Sequence, residues 1–293
     1  MKSEQFVLIH APDTLKSAAK LVRQVKNQTN ISGKRKNEGI SGVRLKRQAS
    51  STLVESNTAK SPIVKVPGKK KVRPITVGLW DLGAWIGGLG RLIEGMNRSQ
   101  KTFVLFEVKA TVPPGVIKQS QGAILKLEKF LGFKLSAEQG AAVGNNFFAA
   151  DYYALAEPIR NDLKIDYLVG ITPSMIADTH DSVAVWNLFS TFDKHLILVS
   201  SYQLRDFAEQ TTQPFEAFLA TIITAQIFVA KFFPKLGFHS DTGCLFDYNE
   251  DRVSIINKVL SPVIEESCIA KIPSPYDSAA QALVKFICSL QKK

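Results

Sequence analysis

The stretch PFEAFLATIITAQIFVAKFF, residues 214–233, would be apolar around most of its circumference if wound as a helix. Such a helix exists in water only inside something else. Pro214 suits a first helical turn, Thr212 or Gln213 can cap it, and Phe215, Phe218, Leu219, Ile222, Ile223, Ile227 and Phe228 leave no broad polar stripe. Its length and its alanines favour helix over a buried strand. Pro234 ends it. The chain is therefore expected to build a domain around a buried central helix.

The material for that domain is present from Pro74 onward. Apolar runs alternate with helical patterns, the signature of an α+β or α/β domain. ITVGLW at 75–80, TFVLFEVKA at 102–110, DYLVGIT at 166–172 and HLILVSS at 195–201 read as strands. Trp85, Leu89, Leu92, Ile93 and Met96 recur at helical spacing, as do apolar residues in IKQSQGAILKLEKFLGF and FFAADYYALAEPIRNDL. A last pattern, ALVKFICSL, marks a helix over 276–293 that should pack Cys288. At 293 residues and 45% hydrophobic content, the chain can fill one sizeable core. No apolar run is expected to reach the eighteen or more residues of a membrane span, the start MKSEQFVLIH has too short an apolar stretch for a secretory signal, and three cysteines fit a reducing compartment. A cytoplasmic location with no transmembrane segment is the expectation.

The net charge of +11 is not a property of that domain. Residues 1–73 carry 17 Lys and Arg against 4 Asp and Glu, a balance of +13, whereas the remainder has −2. Within 1–27, the segment from 12 to 27 is a candidate short amphipathic helix; 28–73 reads as a disordered basic linker, poor in aromatics and without periodicity. Its clusters Lys34, Arg35, Lys36, then Arg44, Lys46, Arg47, then Lys69, Lys70, Lys71, Arg73 could attract nucleic acid or an anionic surface weakly and without sequence preference. A solvated linker is the simpler reading, because no aromatic residues are interleaved for base stacking.

Candidate chemistry is sparse. GGLG at 87–90 follows a strand and opens a helical pattern, but lacks both G-x-G-x-x-G spacing and a Gly-Lys-Ser/Thr ending, so close packing or a turn explains it better. DTHDS offers Asp178, His180 and Asp181 in an expected polar loop, and His195 opens an apolar strand. The remaining concentration is in the tail, where His239, Cys244 and Cys268, with Asp247 as a fourth donor, are ligand types that zinc accepts.

The order of strand DYLVGIT, the segment Trp186 to Ser190, strand HLILVSSYQLR, the apolar helix, Gly237-x-His239, Cys244 and Cys268 resembles the C-terminal half of archaemetzincins. These are zincin-fold metallopeptidases, and the similarity spans roughly residues 75–275. The resemblance implies a three-layer α+β (or α/β) domain over 74–275, with a mixed twisted sheet and the buried helix at its centre. It also implies a site. The family's helix carries H-E-x-x-H-x-x-G-x-x-H-C, whose histidines hold catalytic zinc and whose glutamate acts on the bound water; a C-x-M turn and a C-x-x-C follow, and the cysteines are associated with a second zinc. Here His239 matches the third histidine, with Gly237 one position closer to it than the pattern asks. Cys244 and Cys268 match two cysteines, while Ser240, Phe246 and Lys271 stand where a cysteine, the turn methionine and the last cysteine belong.

The helix departs furthest. It contains no histidine, Glu216 is its only carboxylate and lies several turns too early, and Val229, Ala230 and Phe233 cannot bind zinc or activate water. The resemblance therefore leads to a catalytically degenerate zincin-like domain acting through interaction or regulation, with no catalytic residue named and no cofactor except a structural zinc. A divergent hydrolase would need His180, Asp181 or His195 to join His239. A nucleic-acid-associated factor would work through the basic arm.

Overall fold

Strands β2 (Ile75–Asp81), β5 (Tyr167–Thr172) and β9 (Leu196–Ser200) alternate apolar residues toward both faces, which only a strand covered on two sides can afford. The computed structural model describes residues 7–9, 73–112, 120–144, 146–180, 183–239, 242–249 and 251–291. The candidate helix over 12–27 and the basic clusters from Lys34 to Lys71 lie outside them. Arg73 lies inside, and its guanidinium pairs with Asp166 at 2.6 Å.

These strands form the centre of a five-stranded sheet in the order β3 (Phe103–Glu107), β2, β5, β9, β8 (Ser190–Asp193). The first four are parallel; β8 is antiparallel to β9 and closes one edge. The sheet is thus mixed, as expected. On one face Val77, Leu79, Val169, Ile171, Ile197 and Val199 belong to the main core, together with helices α1 (Leu89–Ser99), α5 (Leu204–Thr211), α6 (Phe215–Phe232) and α9 (Tyr276–Leu290). On the other, Trp80, Leu168, Leu196 and Leu198 pack against Tyr152 and Ala156 of α4 (Ala149–Leu163). Helices therefore cover both faces of the sheet. Gly170 is where β5 and α4 come closest: a Cβ there would sit 2.3 Å from the Tyr152 ring.

Helix α6 is the central helix that its sequence demands. Every residue from Ala217 to Val229 is buried. By length and composition it could cross a bilayer, the only such helix among the described residues, but it is enclosed by sheet and helices instead. Its polar residues are tolerated unevenly. The Thr221 hydroxyl donates to the Ala217 carbonyl at 2.7 Å, whereas Thr224 Oγ1 and Gln226 Nε2 have no hydrogen-bond partner.

A second sheet has no counterpart in the sequence reading. It runs β1 (Val7–Ile9), β7 (Val183–Leu188), β6 (Met175–His180), β4 (Asn146–Phe148). Together with α2 (Ser120–Leu131) and α3 (Ala137–Val143) it encloses a smaller core around Leu127, Phe148 and Trp186. Residues 178–180, expected in a loop, finish β6. Val7–Ile9 is a strand paired parallel with β7.

Two side chains are placed differently from expectation. Trp85 does not begin a helix: it stands in the loop after β2 with 87% of its surface exposed, and α1 starts only after Gly88, whose φ of +97° breaks the pattern. Cys288 is exposed rather than packed, because Ala280, Leu283 and Ile287 already define the buried side of α9.

Candidate metal centre

Beyond α6 the chain turns back on itself through two isolated backbone bridges. His239 pairs with Asp247 in a parallel bridge, its N–H donating to the Phe246 carbonyl while Tyr248 N–H donates to its own carbonyl. Cys244 pairs with Val263 in the same manner. Between His239 and Cys244, Gly243, at φ +91°, lets the chain reverse where a side chain would be strained. Cys268 arrives on α8 (Glu266–Ile269), a single turn of helix.

This fold-back brings His239, Cys244 and Cys268 together, with their ligand atoms all within 4.8 Å of one another. His239 Nε2 lies 3.2 Å from Cys268 Sγ. Both thiols are buried, and the imidazole is partly open. Two backbone N–H groups, of Phe246 and Glu265, point at Cys244 Sγ from 3.5 Å, an arrangement that favours negative charge on sulfur. Burial, followed by the nearby Cys244, pushes the Cys268 thiol up to about 11.

Asp247 takes a different place from the fourth ligand foreseen in the sequence. Its Oδ1 lies 3.0 Å from His239 Nδ1 and accepts from the Thr242 hydroxyl, while Oδ2 accepts from the Thr242 and Gly243 N–H groups. The carboxylate stands behind the imidazole. It fixes the proton on Nδ1 and turns the Nε2 lone pair toward the sulfurs, as carboxylates do behind metal-bound histidines. The donor set fits zinc: two sulfurs and one imidazole nitrogen, all within 4.8 Å of one another. His239, Cys244 and Cys268 would hold the ion, and a fourth position would remain.

Asp178 and His195 do not join the cluster. Asp178 is buried and accepts from the Thr191 hydroxyl at 2.5 Å and from Tyr153 at 3.3 Å. His195 is exposed and packs edge-on to Tyr167. Asp181 lies outside the described residues, as does the side chain of His180. Among the described residues, His239, Cys244 and Cys268 form the only group of three such donors. Sequence reasoning passed over Glu265, whose carboxyl is held below its usual range, first by the Thr242 hydroxyl and then by nearby His239 and Lys271. It also passed over Arg252, which in DYNEDRV reads as surface charge.

No family model matches the sequence, and no curated protein is similar to it. Two solved structures resemble it in chain path. An archaemetzincin from Methanopyrus kandleri aligns over 72% of this chain and 96% of its own, at 14% identity and a TM-score of 0.41. A zinc-dependent peptidase from Methanocorpusculum labreanum aligns over 67% and 98%, at 12% identity and a TM-score of 0.39.

Proposed function

We propose that this chain is a zincin-like domain without peptidase chemistry, in which His239, Cys244 and Cys268 hold a structural zinc ion and the fold serves as an interaction or regulatory module. The observation that carries this is the inner end of α6. Val229, where the resemblance asks for the first zinc histidine, is a buried core residue, and Phe233, where it asks for the second, is 61% exposed. Neither position, nor Ala230 between them, offers a metal ligand or a base. Zinc on the tail would tie the 239–248 turn to α8 and so fix the segment that covers α6.

Elemental analysis of the purified protein tests this. One zinc per chain is expected, lost in His239→Ala and in Cys244→Ser together with a fall in thermal stability. A protein free of zinc at full folding sinks the proposal. A second reading, a divergent hydrolase, draws on the donor count: three ligands rather than four leave a position for water, as catalytic zinc sites do. Cleavage of casein or of a peptide library by zinc-loaded protein, abolished in His239→Ala, would favour it; no cleavage leaves the structural role.

A further inference from the structure

Asp247 also lines a crevice of about 70 Å3, together with Asn187, Phe189, Phe238, Tyr248, Asn249 and Arg252 among others. That is several times the space one water needs. A neighbouring hollow of about 30 Å3 shares Phe189, Ser190, Phe238 and Asn249 with it and extends to the buried Lys258.

Arg252 is the unusual member. A guanidinium has five N–H groups. Here Nε donates to Gln203 Oε1 at 3.0 Å, Nη1 to the Asn187 carbonyl at 2.9 Å and Nη2 to the Tyr202 carbonyl at 3.0 Å. Two N–H groups are left over. All three acceptors are neutral, and no described carboxylate forms an ion pair with this half-buried cation. The Phe189 ring lies 3.8 Å from the guanidinium carbon and fixes its plane. Burial lowers the Arg252 pKa to about 10, which leaves it charged at neutral pH. The one carboxylate in the wall, Asp247, has both oxygens committed to His239, Thr242 and Gly243. Withdrawing a cation from water without a counter-charge is costly, and an arriving anion would offset that cost.

We propose that this crevice binds a small monoanionic carboxylate with an apolar or aromatic tail, its head on Arg252 and its tail against Phe189 and Phe238. The planar guanidinium matches a carboxylate, whereas a dianion would have to sit beside Asp247 with only two spare donors. The carboxylate could belong to a free acid or to the C-terminus of a peptide ending in an apolar residue. The site does not depend on zinc at the neighbouring cluster.

Calorimetric titration of the full chain with N-acetylphenylalanine, its amide, and a pentapeptide ending in Phe as free acid and as amide tests the proposal. The acids should bind at least about tenfold more tightly than the amides, in zinc-replete and in chelator-treated protein alike. In the same titration the Arg252 Nε–H resonance should shift with the acids only. Arg252→Gln should erase the preference and Arg252→Lys should reduce it. Tight binding of the peptide acid alone assigns the site to C-termini; equal binding of N-acetylphenylalanine assigns it to free acids. Equal affinity for acid and amide, or no binding of either at about 10 mM, overturns the proposal and leaves Arg252 as a clamp between the 187 and 202 segments. Should Arg252→Gln fail to fold, the wild-type comparison and the Arg252 resonance decide by themselves.

Discussion

At the scale of single residues, the ligand types in the tail were legible from sequence, but their roles were not. His239, Cys244 and Cys268 are chemically conspicuous. Asp247 is equally so, yet its place behind the imidazole depends on a turn at Gly243 that no spacing rule encodes. Asp247→Asn keeps the shape while weakening the acceptor. Zinc affinity in a competition assay should then fall by about 10- to 100-fold, with one zinc per chain still bound at saturation. An unchanged affinity would mean that Asp247 serves only the turn. Asp166 offers a test in another region. Burial alone would raise its pKa, but the Thr76 N–H, the Thr76 hydroxyl and Arg73 together hold it below the usual carboxylate range. A depressed folded-state pKa contributes stability that is present above about pH 4 and lost as pH falls through the folded value. Asp166→Asn should therefore cost about 1 kcal/mol in urea unfolding at pH 7, a difference that shrinks as pH falls below about 4, and the figure is modest because Arg73 is largely exposed.

At the scale of elements, long apolar patterns could be read directly. The central helix and the strands β2, β3, β5 and β9 sit where periodicity places them, since their burial follows from their own composition. The second sheet was not readable. Strand β4 is three residues long, β6 ends in Asp-Thr-His, and although β6 and β7 form a hairpin, β1 and β4 pair with strands far away in sequence. Trp85 escapes the helical pattern because apolar spacing ignores the left-handed glycine that delays α1. Within α6, Thr224 carries a buried hydroxyl that bonds nothing. Replacing it with valine removes that uncompensated group, so Thr224→Val should stabilise by about 1 kcal/mol, or about 2–4 °C in melting temperature. A lower melting temperature would show that the hydroxyl has a partner in solution. Gly170→Ala, in contrast, should destabilise by about 1–3 kcal/mol, because the new methyl group meets the Tyr152 ring.

At the scale of the whole molecule, the separation of charge from core was visible in the first count of lysines. Among the described residues, all three apolar clusters consist of residues from Ile75 onward. A chain beginning at Arg73 should therefore unfold cooperatively, with its zinc content unchanged, even though β7 loses β1 as a neighbour. Its retention on heparin should drop, since the deleted part carries nearly all the excess positive charge. Loss of cooperative unfolding would assign β1 a larger share of the fold than its three residues suggest.

Residues 247–249 line the Arg252 crevice, and Asp247 also meets the metal cluster. Asp247 steadies His239 on one side, and its backbone neighbours Tyr248 and Asn249 face Arg252 on the other. Any coupling between the two places would be reciprocal by linkage. If zinc changes carboxylate affinity by some factor, carboxylate must change zinc affinity by the same factor. Titrating each in the presence of the other measures this as a single coupling constant.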